Sequence, residues 1–239
     1  LRLANFEDIG EVAREAGFGL VDGILMDLGL SSPQLDSDER GFSFRSTGAL
    51  DMRFDVRDGI PASEVLATLG EDELASLFRR YGEEPHARRI ARAIVAHREQ
   101  RAIESPVELA ELVASVVPAA ARRSRIHPAT RVFQALRIHV NRELDVLPAA
   151  LEQCLDLLRS HGRLCVISYH SLEDRIVKRF IARERRGCVC PPELPVCACG
   201  HEPRLVPVGR QPQVPTPDEV ARNPRSRSAR LRAARRIAA

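Results

Sequence analysis

A short apolar run, Gly23 to Met26, ends in the carboxylate of Asp27, and Gly29 and the small-residue turn Ser31-Ser32-Pro33-Gln34 follow. An apolar run of this length closed by turn residues reads as a buried strand rather than a helix. In open α/β sheets, ligands bind beyond the carboxyl ends of parallel strands. An acid and a turn of exposed backbone groups at that point mark a candidate ligand edge. Many strand–turn junctions look like this, so the remainder of the chain has to supply the specificity.

A second strand is expected over Leu164 to Tyr169, followed by a helix from Glu173 to Arg183, which restores β–α alternation. The chain between the two strands reads differently. Residues 31–59 are rich in Gly, Ser, Asp and Arg, and the expectation is a long functional loop. Leu74, Leu77, Phe78 and Tyr81 then recur at helical spacing, as do Ile90, Ala91, Ile94 and Val95. Ser105-Pro106-Val107-Glu108 is a capping-box signature with proline at the first helical position. Helices without intervening strands indicate an all-α insertion in an α/β domain. A further helix is expected from about Pro128, broken or restarted at Pro148 and ended by Gly162. The expected organisation is a first α/β part over residues 1–37, a helical insert over 38–138, and a second α/β part over 139–239. The last part carries a Cys-rich loop over 187–201, irregular chain to about Pro217, and a basic C-terminal tail.

With 239 residues, 44% of them hydrophobic and 29% charged, the chain has ordinary globular composition and enough length for a substantial core. No apolar run approaches bilayer-spanning length. The first residues, Leu1 to Phe6, have no secretory apolar region, so the expectation is a cytoplasmic protein without a membrane partner. Only one of the 36 basic residues, Lys178, is lysine. That bias is compositional, and the arginine total alone says little about nucleic acid. Distribution says more: Arg222 to Ala239 holds seven arginines and no acid. Such a segment reads equally as a phosphate-attracting surface or a solvated tail.

The blocks Arg40-Gly41-Phe42-Ser43-Phe44-Arg45, Leu50-Asp51-Met52-Arg53 and Tyr81-Gly82-Glu83-Glu84 follow Asp27 in order. They are followed by 127–138, beginning His127-Pro128-Ala129-Thr130-Arg131, then Val140-Asn141-Arg142-Glu143-Leu144, 167–175 with Ser168-Tyr169-His170-Ser171, and Asn223-Pro224-Arg225-Ser226-Arg227-Ser228. In this order they closely resemble the RsmH (MraW) family, from about Asn5 to Arg232. The resemblance implies a Rossmann-like class I methyltransferase fold with an inserted all-α domain. It also implies methyl transfer from S-adenosyl-L-methionine to N4 of a cytidine in 16S rRNA, in the decoding region of the small ribosomal subunit. The family's first motif, a glycine-rich loop ending in Gly-Gly-His, has no counterpart before Phe6. The expectation is therefore a sheet whose N-terminal part is missing. A catalytically inactive RNA-binding fragment is the alternative, and an interaction module built round the cysteines is a further one.

Cytosine N4 is a poor nucleophile because its lone pair is delocalised into the ring. Orientation against a hydrogen-bond acceptor can supply roughly 7–11 kcal/mol in favourable cases. Asp27, the carbonyls of Leu30 to Ser32 and the hydroxyls of Ser31 and Ser32 are the candidate acceptors, with Pro33 completing the turn. The Ser31-Ser32-Pro33-Gln34 turn has the shape of the loop with which methyltransferases hold an exocyclic amine. By resemblance, Asp27 and Gln34 occupy cofactor-contacting positions and Phe6 the position near the adenine; each also reads as a cap, turn or core residue. His170, after the second strand, is placed near Asp27, or caps a helix. His127, Arg131 and Arg137 read as RNA contacts or as ion-pair partners for Glu143 and Asp145. Asp51 and Arg53 line the target pocket or bridge their own loop, and Arg225, Arg227 and Arg230 are the candidate tail contacts.

Cys188, Cys190, Cys197 and Cys199 fall within 12 residues, with His201 close by. Four thiolates so close can form a tetrahedral zinc site. The C-x-C spacing is less typical than C-x-x-C, and free thiols are the even alternative. Cys154 and Cys165 sit in apolar contexts and read as core residues.

Overall fold

The computed structural model describes residues 1–119, 126–188, 190, 191, 194 and 196–238. The chain divides into two compact units: Leu1–Gly29 with Leu144–Ala239, and Leu30–Glu143. Among the described residues, no helix is long and apolar enough to cross a membrane.

The first unit is built on a four-stranded sheet. Its strands are β1 (Val21–Asp27), β2 (Leu158–Ser168), β3 (Leu205–Gln213) and β4 (Arg230–Arg236), in the order β1-β2-β4-β3. β1 runs parallel to β2, while β4 is antiparallel to both β2 and β3. The helices are α1 (Ile9–Glu15), α8 (Glu143–Leu157), α9 (Ser171–Glu184) and α10 (Pro217–Arg222). Leu147, Leu151, Cys154 and Leu155 of α8 and Val177, Phe180 and Ile181 of α9 pack with Met26, Leu164, Val166, Leu205 and Ala234 of the sheet in one core. Alternate residues of β2 face this core, as the two-residue period of a strand requires. Burial pushes the Cys154 thiol up to about 12, so it acts as an inert apolar filler.

Several expectations about this unit are corrected. Pro148 lies inside α8 and does not break it. The interruption falls instead at Asn141 and Arg142, where Arg142 adopts a positive φ of 52°. In the second turn of a helix, proline removes one N–H bond, and core packing of Leu147, Leu151 and Leu155 outweighs that loss. Gly162 does not end the helix but lies within β2, at a register shift opposite Val21–Gly23. A Cβ there would stand 2.9 Å from the Arg159 carbonyl and 3.1 Å from that of Asp22, so only glycine fits. The second strand is therefore longer than Leu164–Tyr169. The chain read as irregular to Pro217 contains β3, whose Pro207 is tolerated because β3 is an edge strand. The arginine-rich end read as a basic tail is β4, between β2 and β3.

The second unit is helical: α2 (Ser32–Asp36), α3 (Ala62–Thr68), α4 (Glu71–Gly82), α5 (Ala87–Arg98), α6 (Pro106–Val116) and α7 (Thr130–Val140). Leu74, Leu77 and Phe78 of α4 and Ile90, Ala91 and Ile94 of α5 bury their apolar faces with Leu109 and Val113 of α6 and Val132, Phe133 and Leu136 of α7. α4 and α7 approach closely at Gly82, where a Cβ would stand 2.4 Å from the Arg131 carbonyl. Ser105 caps α6 by accepting the Glu108 N–H at 3.3 Å, while the Glu108 carboxylate reaches Glu104 N rather than closing the box on Ser105. The expected loop over 31–59 contains α2 at its start, and its remainder is tied down. Asn141 accepts the Phe54 N–H at 2.6 Å and donates to the Met52 carbonyl at 2.8 Å. The Arg40 guanidinium donates to the carbonyls of Arg53 and Phe54.

Candidate active site

In the first unit, the carboxyl ends of β1 and β2 lie side by side. Asp27 pairs in register with Ile167, and Leu28 N–H donates to the Ile167 carbonyl at 3.0 Å. Two residues beyond Ile167, on the same side by the strand period, stands Tyr169. Its hydroxyl donates to Asp27 Oδ1 at 3.1 Å. Burial, followed by the hydrogen bond to Asp27, raises the Tyr169 phenol above its ordinary value. The phenol thus stays a donor and pins one carboxylate oxygen. Asp27 itself is exposed, leaving Oδ2 open to a ligand.

Sequence reasoning put His170 beside Asp27; the residue that touches Asp27 is Tyr169. His170 is the N-cap of α9, its Nδ1 accepting the Glu173 N–H at 3.5 Å. Glu173 reciprocates by accepting the Tyr169 N–H at 3.0 Å. The His170 Nε2 lies 3.1 Å from Glu173 Oε1 but makes no aligned hydrogen bond. This reciprocal cap fixes the backbone that carries Tyr169. The signal for Tyr169 was present in the parallel register, which places the residue after β2 on the same edge as Asp27. Phe6 opens a short 3-10 turn and packs half-buried against the core of this unit.

In the second unit, Ser31 and Gln34 form a capping box on α2. The Gln34 N–H donates to Ser31 Oγ, and Gln34 Oε1 accepts the Ser31 N–H at 3.0 Å. Ser32 and Pro33 are exposed in its first turn. Asp51 and Arg53 form a bidentate pair, at 2.8 and 2.9 Å. The Arg53 guanidinium beside Asp51 holds its carboxyl below the usual range. His127 precedes α7 rather than sharing a helical face with Arg131, and its ring stacks on Phe44 at 4.6 Å. Arg131 donates to the Glu83 carbonyl, and Arg137 forms a bidentate pair with Glu143 at 2.8 and 2.9 Å. Of the two acids considered for Arg137, its bidentate partner is Glu143.

At the C-terminus, Arg225 and Arg227 are exposed on the turn Pro224–Ser228, whereas Arg230 reaches Asp174 at 3.4 Å. A feature of the first unit escaped the sequence reading. Lys178, Arg185, Arg186, Arg210 and Arg232 line a groove of about 470 Å³, and among the described residues no acid lines it. These cations come from α9, its C-terminal end, β3 and β4, so no sequence window holds them together. Arg232 is itself paired with Asp174, so Lys178, Arg185, Arg186 and Arg210 are the cations the groove offers to the oxygen atoms of a phosphate.

A parallel strand pair bearing an acid at its carboxyl edge, flanked by helices and extended by antiparallel strands, defines the class: this is the fold of a class I methyltransferase. Residues 1–237 match the MraW methylase family, and the chain belongs to that family. The protein named ribosomal RNA small subunit methyltransferase H of Thermomicrobium roseum is 58% identical over 234 residues, 98% of this chain and 71% of that protein. Its namesake from Syntrophotalea carbinolica is 52% identical over 237 residues, 99% of this chain and 76% of that protein. That of Heliobacterium modesticaldum is 49% identical over 235 residues, 98% and 75% of the two chains.

Proposed function

We propose that the protein methylates N4 of a cytidine in 16S rRNA, in the decoding region of the small ribosomal subunit, with S-adenosyl-L-methionine as donor. The family assignment and the names of the relatives support the methylation of small-subunit RNA. The structural observation that carries the reading is the Asp27–Tyr169 pair at the carboxyl edge of two parallel strands.

An exposed carboxylate with one oxygen pinned is a directed acceptor. Offered to an exocyclic amine, Asp27 Oδ2 holds one N–H and thereby orients the nitrogen, which raises the fraction of productive encounters without needing a strong base. Tyr169 keeps the carboxylate from rotating and remains protonated while it does so. The same carboxylate fits the cationic character of the proposed donor, which when bound supplies a methyl group on a positively charged sulfur. Phe6 offers an apolar surface in the same unit, suited to a flat heterocycle. The assignments of Ser31, Ser32 and Pro33 to the amine, of Gln34 to the cofactor, and of Asp51, Arg53, His127, Arg131, Arg137, Arg225, Arg227 and Arg230 to RNA rest on the sequence resemblance. The acid-free groove at Lys178, Arg185, Arg186 and Arg210 is a further phosphate-binding surface for the same RNA.

The test is methylation of small subunits isolated from cells lacking the modification, read by mass spectrometry of the nucleosides. N4-methylcytidine is the expected product, and Asp27→Ala is expected to reduce its formation by about 100-fold, the scale on which a misplaced reacting group slows a reaction. Near-normal product from the variant overturns the role of Asp27. A methyl group on another atom or base overturns the N4 assignment.

A further inference from the structure

The connection between α9 and β3 carries four cysteines that the proposed methyl transfer does not use. It is held at its base by arginines gathered round one buried carboxylate. Glu184, fully buried at the end of α9, accepts from Arg183 and from Arg204 just before β3, each at 2.6 Å. The backbone closes there too, with Arg204 N–H donating to the Glu184 carbonyl at 2.7 Å. His201 Nε2 lies 3.2 Å from the Arg183 carbonyl and is thereby turned to the α9 end.

Above this base the four sulfur atoms converge. Cys188 Sγ is 3.5 Å from Cys197 Sγ and 3.8 Å from Cys199 Sγ, and Cys197 and Cys199 are 3.5 Å apart. All four Sγ atoms, that of Cys190 included, lie within 4.8 Å of one another. A tetrahedron with zinc–sulfur bonds of about 2.3 Å has edges of about 3.8 Å. Sulfur atoms joined in a disulfide stand about 2.05 Å apart. The observed spacing is that of ligands round a common centre and not of bonded pairs. Backbone donors aim at the sulfurs as well: the Cys190 N–H points to Cys188 Sγ and the Ala198 N–H to Cys190 Sγ, both at 3.4 Å. Such N–H donors stabilise charge on thiolate ligands, as outer-shell partners of metal sites do.

The geometry points to a structural zinc site formed by Cys188, Cys190, Cys197 and Cys199, which pins the connection between α9 and β3. The set is closed: four sulfur ligands leave no position for a water or a substrate, so the metal stabilises and does not catalyse. Soft thiolates select zinc over magnesium or calcium. On binding, the four thiols release their protons to solvent and the ion takes four sulfur bonds, with no change of oxidation state. Among the described residues of the loop, Leu194 and Val196 are 50% and 74% exposed, so their apolar burial does little to order it and a metal supplies the missing tie.

The test begins with protein purified without chelator under reducing conditions and measured by elemental analysis. About one zinc per chain is expected, with roughly a tenth of that or less in Cys197→Ser and in Cys190→Ser. Cys165→Ala, outside the site, is expected to retain the metal. Cobalt added to the metal-free chain is expected to give the charge-transfer bands of a four-thiolate tetrahedral site. Should the serine variants fail to fold, the cobalt spectrum of the unaltered protein decides alone. Wild-type protein that holds no zinc and gives no thiolate–cobalt spectrum overturns the proposal. So does a non-reduced mass that shows the cysteines paired as disulfides.

Discussion

Arg232 on β4 grips Asp174 on α9 through two hydrogen bonds, Nε to Oδ1 at 2.6 Å and Nη2 to Oδ2 at 3.0 Å. Both side chains are largely withdrawn from water, 16% and 8% exposed. Their pairing converts one member of an arginine-rich segment into a tie between the sheet and the helix that covers it. Arg230 adds a longer interaction with the same acid from an exposed position, where an ion pair contributes little.

Replacing Arg232 with Gln leaves Asp174 buried without its main partner. The expected loss is about 3 kcal/mol of unfolding free energy, read as a lower urea midpoint. Arg230→Gln is expected to cost less than about 1 kcal/mol. Equal effects for the two would show that burial of the pair does not matter.

Glu184 sets a pH dependence. Burial alone would raise its carboxyl, but the hydrogen bonds and charges of Arg204 and Arg183 outweigh this and leave it below the usual range. The unfolded chain therefore binds the proton more readily than the native one. The pair's contribution is complete above the unfolded value of about 4.3 and is lost as pH falls through the lower native value. Arg204→Met is expected to destabilise the protein most near neutral pH. The gap to wild type is expected to close on acidification as pH falls below the unfolded value and through the lower native one, until Glu184 is protonated in both. Melting temperatures across that range measure it; a gap independent of pH would assign the effect to lost packing.

The Asp27–Tyr169 pair can be followed without a substrate. The chain has two tyrosines, Tyr81 and Tyr169. In a Tyr81→Phe background, tyrosinate absorbance reports Tyr169 alone. Asp27→Asn removes the anion that helps hold the phenol up, so its titration is expected to move to lower pH. An unmoved titration would mean that the two groups do not touch in solution.

The groove separates RNA binding from folding. Arg185, Arg186 and Arg210 line it together with Lys178, and no acid among the described residues does. Changing these three arginines to Gln is expected to weaken binding to small ribosomal subunits. For each phosphate left without its arginine, the slope of log affinity against log salt is expected to flatten by about 0.7–0.9. Thermal stability is expected to stay within about 0.5 kcal/mol, as for surface substitutions. An unchanged slope with weakened binding would remove the groove from the RNA surface.

The sequence by itself determined the local elements and the family. The Ser105 cap and the helical spacing of Leu74 to Phe78 act within one or two turns, so their meaning is complete in a short window. The acid after an apolar run located the β1 edge for the same reason. What lies far apart in the chain was decided by tertiary structure. β4 buries chiefly Ala234 and carries arginines elsewhere, so it has no alternating pattern to read; it is a strand because β2 and β3 offer it hydrogen-bond partners on both sides. Pro148 stays helical because α8 is held by the core of the first unit. Tyr169 became a site residue only when parallel pairing set it beside Asp27, 142 positions away in the chain. Pairing register, burial of charge and the convergence of distant cations depend on chain crossings that leave no local mark. The residues proposed to perform the chemistry were nameable from sequence, while those that hold them in place emerged from the fold.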